Sequence, residues 1–462
     1  MAYGSYAHIQ KLNGFEIPDR WDCRKLKFCS TCNDEIHPES MDPDTEIFYV
    51  DISSVNLSEG VIQIEAMPFE KAPSRARRRT QSGDTIVSTV RTYLKAIAYI
   101  DDRNDLTVST GFAVLRPNQV LDSKYLSYYA RSELFVGEVT SLSNGVSYPA
   151  INPITLVGIP ALFPNCKKEQ AQIARFLDYK TAQLDQLIAK KQALIERLNE
   201  QRIALITQAV TRGLNPDVPL KDSGVEWLGQ VPEGWEVAKL RRCVSTVTSG
   251  SRGWAKYFSD SGDIFLRITN LTRNSIQLMR TDIQRVMPPE GSEGERTKTQ
   301  PGDVLISITA DLGSVAVIPD SFEAAYVSQH ICLVRPERDK VLPEWLAMSV
   351  FSHSGRAQLG SSGYGGTKQQ LSLADVKELV FTMPPTLKEQ GDILEYVQVE
   401  TEKTDRLVSL TVDTINRLEE YRTALITAAV TGKIDVRDIQ IPVPPNDGPT
   451  SENIHEKASS QA

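Results

Sequence analysis

Two long segments of the chain have the spacing of apolar residues expected for helices that pack along one side. From Lys168 to Arg212 there is no Gly or Pro, and Gly213 then predicts the end of a helix. A similar segment begins near Lys388, again with apolar residues at intervals of three and four and with polar breaks. This spacing is typical of a coiled coil. The residues predicted to pack between helices are Ile173, Leu177, Leu184, Leu187, Leu194, Leu198, Leu205, Ile393, Val397, Leu407, Leu418 and Leu425.

Short β-rich runs precede each long segment and are punctuated by Gly, Asn, Ser and Pro. GDTIVSTV (83–90) and GFAVLRP (111–117) stand in the first half, and GDVLISIT (302–309) and HICLVRP (330–336) stand in the second. Helical stretches are predicted to follow these runs within each half. We therefore expect a mixed α/β domain ahead of each long helix.

The chain contains an internal repeat. LIERLNEQRIALITQAVT (194–211) returns 220 residues later as TINRLEEYRTALITAAVT (414–431), and KEQ at 168–170 returns at 388–390 with the same offset. Fainter matches lie upstream, such as IPDRWDCRKLK (17–27) against VPEGWEVAKLR (231–241). A constant offset with ordered upstream matches indicates two copies of one unit.

The repeat predicts an α+β fold: two mixed α/β domains separated by two long antiparallel coiled-coil helices, with a pseudo-twofold internal repeat. A helix of some 45 residues is roughly 65 Å long and cannot bury its apolar stripe alone. The simplest partner is the other copy, although each helix could instead lie on its own domain. The expected divisions are a first domain at 1–165, a first long helix at 166–214, a connector at 215–229, a second domain at 230–386, a second long helix at 387–437 and a disordered tail at 438–462.

The net charge of −8 argues only weakly against a nucleic-acid partner, because binding depends on local charge. The run from Lys71 to Arg79 holds five cations in nine residues. These cations, other basic residues in predicted loops and two loop aromatics are candidate DNA contacts, against the alternative of solvated surface charge. The candidates are Lys71, Arg75, Arg77, Arg78, Arg79, Arg91, Lys95, Arg252, Trp254, Arg267, Arg273, Tyr364 and Lys368.

The sequence shows no signature of a catalytic centre. Thr431-Gly432-Lys433 lacks the rest of a phosphate-binding loop, and no Asn/Asp-Pro-Pro-aromatic motif is present. The spacing of Cys23, Cys29, Cys32 and His37 could suit zinc, but the second copy has no equivalent set, so we predict no metal site and no catalytic residue. The scattered cysteines, with neither an apolar leader nor an 18-residue apolar run, favour a cytoplasmic protein.

Several segments resemble the specificity subunits of type I restriction–modification systems. The resemblance lies in SGVEWLGQVPEGWEVAKL (223–240), the doubled KEQ, the ALIT-A-VT helix ends, and segments 70–95 and 247–271, and it spans about residues 15–435. It implies a subunit without enzymatic activity in which each domain reads one half of a split, asymmetric target in double-stranded DNA. It also implies that the helices set the spacer and dock the methyltransferase subunits.

The resemblance further implies partners that carry the cofactors. Two methyltransferase subunits would bind S-adenosylmethionine, and two motor-nuclease subunits, where present, would use ATP and Mg; this chain itself would need no cofactor. Two other classes stay open from the sequence. One is a coiled-coil protein-interaction scaffold without DNA specificity, and the other is an enzyme whose site carries no recognised motif.

Overall fold

The β-rich runs form short strands, and the two segments of coiled-coil spacing form long helices. The computed structural model describes residues 6–12, 15–250, 252–288, 291–362 and 370–442. Through the first long helix the strands are β1 (Tyr6–Leu12), β2 (Phe15–Pro18), β3 (Trp21–Lys25), β4 (Ser30–Cys32), β5 (Glu46–Val50), β6 (Val55–Asn56), β7 (Gly60–Val61), β8 (Glu65–Pro68), β9 (Ala76–Arg79), β10 (Thr85–Ser88), β11 (Ile97–Tyr99), β12 (Leu106–Ser109), β13 (Phe112–Pro117) and β14 (Pro160–Pro164). The helices of this part are α1 (Ser123–Ala130), α2 (Glu133–Ser141), α3 (Pro153–Leu156) and the long α4 (Lys167–Arg212).

The second half has a similar order of strands and helices, with one more short helix among its strands. Its strands are β15 (Leu220–Asp222), β16 (Gln230–Pro232), β17 (Glu236–Lys239), β18 (Val244–Ser249), β19 (Phe258–Ser259), β20 (Asp263–Leu266), β21 (Gln284–Val286), β22 (Val304–Ser307), β23 (Val315–Val317), β24 (Ala325–Val327), β25 (Ile331–Pro336) and β26 (Val380–Met383). Its helices are α5 (Ser292–Thr297), α6 (Pro343–Phe351), α7 (His353–Ser362), α8 (Leu373–Glu378) and the long α9 (Leu387–Val430). No described helix is both long and apolar enough to cross a membrane.

The chain divides into two compact units, and the division falls within both long helices. Unit 1 holds residues 1–190 and 414–462, and unit 2 holds residues 191–413. Unit 1 contains a β11-β10-β13-β4 sheet and a β8-β5-β12-β9 sheet in which β5 and β12 are parallel. Unit 2 contains the matching β23-β22-β25-β18 sheet and a β19-β21-β20-β24 sheet in which β20 and β24 are parallel. The prediction of two similar mixed α/β domains is confirmed.

The doubled KEQ motif fastens the start of each long helix to the domain before it. In unit 1 the indole N–H of Trp21 donates to Glu169 (3.2 Å), and the side-chain oxygen of Gln170 accepts from the backbone N–H of Asp122 (2.7 Å). Unit 2 repeats both bonds, from Trp235 to Glu389 (3.0 Å) and from the backbone N–H of Leu342 to Gln390 (3.0 Å). Both glutamines are buried, so the motif satisfies polar groups that would otherwise cost free energy.

A second doubled motif forms a buried ion pair in each domain. Arg116 of LRP donates two hydrogen bonds to Asp84 of SGD, both at 2.8 Å, and Arg335 of VRP does the same to Asp303, also at 2.8 Å. Each aspartate side chain is 1% exposed and also accepts a backbone N–H, from Gln81 (2.8 Å) and Gln300 (2.7 Å). The glycine before each aspartate has a positive φ, which closes the turn that presents the carboxylate.

Each ALIT-A-VT helix end packs on the domain of the other repeat. In unit 1 the end of α9 enters the core through Ile426, Ala429 and Val430, and the Tyr125 hydroxyl donates to the Val430 carbonyl (3.0 Å). In unit 2 the end of α4 enters the core through Ile206, Ala209 and Val210, and the Thr382 hydroxyl donates to the Val210 carbonyl. The two helix ends therefore make equivalent contacts, and each one packs on the domain of the other repeat.

The two long helices run antiparallel within each unit. In unit 1, Ile173 and Leu177 of α4 share a core with Val430, and Asp185 further along α4 pairs with Arg422 (3.0 Å) earlier on α9. In unit 2, Arg202 pairs with Asp405 (2.7 Å), while the later end of α4 shares a core with Ile393 and Val397. The two ion pairs are one interaction repeated, since the offset of 220 relates Asp185 to Asp405 and Arg202 to Arg422.

The packing stripe of the helices differs from the predicted one at three of the twelve predicted residues. Leu187, Leu194 and Leu407 are 41%, 40% and 52% exposed, so the expectation that they pack between helices is wrong, whereas their neighbours Ile188 and Ile195 are half-buried. The Leu-Ile pairs at 187–188 and 194–195 fit either phase of the heptad, and the isoleucine of each pair is the more buried residue. The other predicted packing residues are buried or half-buried, namely Ile173, Leu177, Leu184, Leu198, Leu205, Ile393, Val397, Leu418 and Leu425.

Two threonines also lie in the packing stripe of the long helices. Thr181 and Thr411 are buried, and their hydroxyls donate to carbonyls one turn earlier on the same helix, at Leu177 (2.8 Å) and Leu407 (2.7 Å). Because this bond satisfies the hydroxyl locally, threonine can lie in the stripe without a partner on the facing helix.

The second long helix ends earlier than 437. It stops at Val430, where Gly432 takes a φ of +71° and the N–H of Lys433 donates to the carbonyl of Ala428 (2.8 Å). The first long helix stops at Arg212, before Gly213, which also has a positive φ. Most of the tail predicted to be disordered, from residue 443 onward, lies outside the described residues.

Candidate nucleic-acid interface

The arginine run of the sequence lies on an edge strand of the first domain. β9 carries residues 76–79 and pairs with β12 at the border of its four-stranded sheet. Residues 35–37 cover the outer side of β9, since the N–H of His37 donates to the Arg77 carbonyl (2.8 Å) and the N–H of Arg79 donates to the Glu35 carbonyl (3.1 Å). Lys71 lies just before the strand in a short turn and is exposed.

Several of these arginines already have partners. Arg75 pairs with Asp51 (2.9 Å) and donates to the Tyr49 hydroxyl (3.1 Å). Arg79 lies 3.8 Å from Glu35. Arg78 points to the other side of the strand, where burial lowers its pKa. The run is therefore less uniform than the sequence suggests.

Arg77 belongs to an aromatic stack that the sequence analysis missed. Its guanidinium lies 5.0 Å from the centre of the Phe69 ring, and the His37 ring meets Phe69 edge-on at 5.7 Å. The pKa of His37 is lowered first by burial and then by the charges of Arg79 and Arg77. The sequence did not predict this stack, because His37 reaches Arg77 from a position 40 residues earlier in the chain.

The candidates in the second domain are more dispersed. Arg267 is held by Asp282 (2.7 Å), and Arg273 pairs with Asp311 and donates to the Leu312 carbonyl (3.3 Å). Arg252 is exposed next to the start of a short turn. These arginines do not form a run like that on β9.

Two of the three remaining second-domain candidates lie outside the described residues, and the third is corrected. Tyr364 and Lys368 fall in the segment 363–369. Trp254 is 3% exposed, because its ring stacks on Phe265 at 5.7 Å and contacts Tyr326 at 5.4 Å. It is a core residue rather than a loop aromatic for a sugar or base.

The cysteine-rich segment does not assemble into a metal site. Among the described residues no group of three or more His, Cys, Asp or Glu side chains is placed to hold a metal ion. Cys23 lies on β3, which pairs with β14, whereas Cys32 lies on β4, which pairs with β13. Burial is the main cause that raises the pKa of both thiols.

Comparison with known proteins identifies the family to which this repeated fold belongs. The family model for the type I restriction modification DNA specificity domain matches residues 70–197 and 232–419, once in each repeat. The chain belongs to this family. It is therefore a DNA specificity subunit, and such subunits recognise DNA without catalysing a reaction; the alternative of a scaffold without DNA specificity has no support.

Relatives and solved structures agree with this assignment. The specificity subunit of the type I restriction enzyme MjaVIII from Methanocaldococcus jannaschii is 21% identical over 95% of this chain and 99% of its own length. The EcoKI specificity subunit from Escherichia coli is 26% identical over 70% of this chain and 68% of its own length. A chain solved in work on the assembly and conformational transition of a type I system shares the fold, with a TM-score of 0.67, 21% identity, and coverage of 91% of this chain and 100% of the other.

Proposed function

We propose that each domain of this specificity subunit reads one half of a split, asymmetric target in double-stranded DNA, and that α4 and α9 fix the spacing of the halves. The observation that supports this most is the exchange of helix ends, because each domain is tied both to its own long helix and to the other repeat's helix. A reading domain held this way cannot shift along the DNA alone. Half-sites on one face of DNA lie about 34 Å apart per helical turn, and joining two weak readers rigidly raises affinity only at the matching spacing.

In this proposal, cations on β9 and just before it supply the phosphate contacts of the first domain. Lys71, Arg75, Arg77 and Arg79 lie on or just before β9, whereas Arg78 points to its other side, and the candidates in the second domain are Arg252, Arg267 and Arg273. Phosphate contacts orient a protein on the duplex without reading its sequence. Arg77 and Arg79 lie on the side of β9 that faces His37, since the charges of both lower the pKa of that residue.

Neutralising that side of β9 tests the contact. We expect Arg77→Gln with Arg79→Gln to weaken DNA binding by the methyltransferase complex, and to reduce the slope of log affinity against log salt by about 1.8, or about 0.9 for each lost phosphate contact. Arg103→Gln is the matched control, since Arg103 is already paired with Asp105 (2.7 Å). Titration between 50 and 200 mM salt measures the slope, and an unchanged slope in the double variant would remove this strand from the interface.

The outer face of α9 supplies a docking surface for a methyltransferase subunit. Tyr396, Val399, Leu407 and Leu410 are all exposed, and their spacing of three, eight and three residues puts them on one narrow side of the helix. Exposed apolar residues repeated along one side of a helix favour a binding surface, and here Lys403 lies between the two apolar pairs on that side. Leu187 occupies the repeat position of Leu407 and is also exposed, which suits two methyltransferase subunits related by the repeat.

Charges on this stripe should disrupt the complex. We expect Leu407→Glu with Leu410→Glu to weaken methyltransferase binding at least tenfold, because docking would bury both charges unpaired. Val412→Glu is the control, because Val412 is similarly exposed but lies on the opposite side of α9. Co-purification and titration calorimetry measure the effect, and normal assembly of the double variant would move the docking surface elsewhere.

The remaining parts of the proposal concern the partners and their setting. S-adenosylmethionine would be bound by the methyltransferase, and ATP and Mg by a motor-nuclease where the system includes one. The subunit would act in the cytoplasm, where the DNA is.

A further inference from the structure

The end of β10 carries an exposed turn whose backbone is held in a strained shape. Arg91 and Lys95 both take left-handed backbone angles, with φ of 49° and 51°, and a short helical turn joins them. Residues other than glycine seldom adopt these angles, and they persist only where surrounding contacts impose them. Residues 91–95 form this turn, called the reading turn.

A neighbouring loop imposes that shape. The N–H of Thr92 donates to the Pro149 carbonyl (3.4 Å), and the Thr92 hydroxyl contacts the Ser143 hydroxyl (2.9 Å). An isolated bridge joins Val90 to Ala150. The reading turn is therefore a fixed surface rather than a free loop tip.

The side chains that this surface presents combine exposed aromatic, apolar and cationic groups. Tyr93, Leu94 and Tyr148 are 53%, 49% and 66% exposed, and the Arg91 guanidinium lies 4.9 Å from the centre of the Tyr148 ring. The segments 89–96 and 142–150 contain no acidic residue. Among the described residues no carboxylate pairs with Arg91 or Lys95, unlike Arg75 and Arg79.

The reading turn lies at the same end of the domain as the start of the cationic strand. The N–H of Thr110 donates to the Arg75 carbonyl (2.8 Å), and the N–H of Thr89 donates to the carbonyl of the adjoining Gly111 (2.7 Å). Thr89 leads directly into the reading turn. A duplex that meets Arg75 with its phosphates would therefore also meet this turn.

The second domain has the same supporting contacts around this turn but a different sequence at its tip. Thr309 bridges to Gln370 as Val90 bridges to Ala150, and Ala310 takes the left-handed angles (φ 61°) at the repeat position of Arg91. Ser307 donates to the Thr309 carbonyl (3.2 Å), as Ser88 donates to that of Val90 (2.6 Å). The tip itself reads Ala-Asp-Leu-Gly (310–313) instead of Arg-Thr-Tyr-Leu-Lys (91–95). A shared support with different tips is what two readers of different sequences require.

We propose that the reading turn enters the major groove and determines specificity at one or two base pairs of one half-target, an inference that rests on the proposed DNA-reading function. Arg91, oriented by Tyr148, donates to a guanine edge, since arginine with O6 and N7 of guanine is the commonest specific contact. Tyr93 and Leu94 contact the methyl group of a thymine, and Lys95 contacts a phosphate.

Mapping the bases methylated by the full complex tests this proposal. Arg91→Ala should reduce discrimination about tenfold or more at one or two positions of one half-target and leave the other half unchanged. Tyr93→Ala should relax a neighbouring position without changing the salt slope, whereas Lys95→Ala should reduce the slope and leave every base preference intact. Ile62→Ala is the matched control, because Ile62 is similarly exposed (51%) but lies outside the turn.

Two results would overturn the proposal, and a third would overturn the function beneath it. Unchanged base preferences at every position in folded Arg91→Ala and Tyr93→Ala complexes would exclude a reading role. Weaker binding of the methyltransferase by these variants, with base preferences intact, would make the patch a protein-docking surface. Absence of sequence-specific methylation by the wild-type complex would instead contradict the proposed function itself.

Discussion

Lengthening both long helices by seven residues, one insertion after Lys190 and one after Asp413, should give a complex that methylates a target with a longer spacer. Seven helical residues add about 10 Å, which is the rise of roughly three base pairs. Each insertion falls between the ion pairs, so Asp185 keeps Arg422 and Arg202 keeps Asp405. The base sequence of the two half-targets should not change, because neither reading domain is altered.

An insertion in one helix alone is the matched control. The two ion pairs are separated by 17 residues on α4 and by 17 on α9, from the differences 202 − 185 and 422 − 405. Seven extra residues on one side would prevent both pairs from forming on a straight helix pair, so that variant should lose stability and activity. Methylation at the original spacer by the doubly extended complex would contradict the role of the helices as a ruler.

Replacing Arg116 with alanine should lower the free energy of unfolding by about 3 kcal/mol. The substitution strands the Asp84 carboxylate, which is almost fully buried, and an unpaired buried charge costs much more than a pair contributes. Arg116 also pairs with Glu35 (2.7 Å), but that carboxylate is partly exposed and can be solvated. Urea unfolding followed by tryptophan fluorescence measures the loss in the transition that reports on unit 1.

The double variant Arg116→Met with Asp84→Asn separates charge from packing. It removes both charges and keeps similar volume, so it should be markedly more stable than Arg116→Ala. Arg103→Ala is the surface control and should change stability by less than about 1 kcal/mol. A loss below 1 kcal/mol in Arg116→Ala would mean that the doubled motif has a role other than stabilising the sheet.

The sequence predicted most of the architecture because the residues that recur in the repeat are those that pack or pair within the fold. KEQ, the Arg and Asp of the two sheet motifs, and the helix ends all recur at nearly constant offsets, and each makes the same contact in both units. Helix periodicity also gave both long helices with starts close to those observed. The early stop at Val430 was missed because one glycine, Gly432, ends a pattern that otherwise continues.

The candidate site was predicted less well, since it depends on contacts between distant segments. The sequence around Trp254 resembles that of a loop and does not show whether its side chain is exposed. Its burial depends on contacts with Phe265 and Tyr326. The partners of Arg75 and Arg79 are acidic residues more than 20 positions away. The strained turn at Arg91 has no sequence signature, because its shape is imposed by the loop around Pro149.

The most direct measurement of the central claim is a genome-wide map of methylated bases. This subunit would be expressed with its methyltransferase in a host free of other DNA methylation, and the map would be compared with one from the methyltransferase alone. We predict modification within one target made of two specific parts and a gap of fixed length without sequence preference, and only when this subunit is present. A continuous target, a gap of variable length or a map that does not depend on this subunit would contradict the claim that two tethered domains read the DNA.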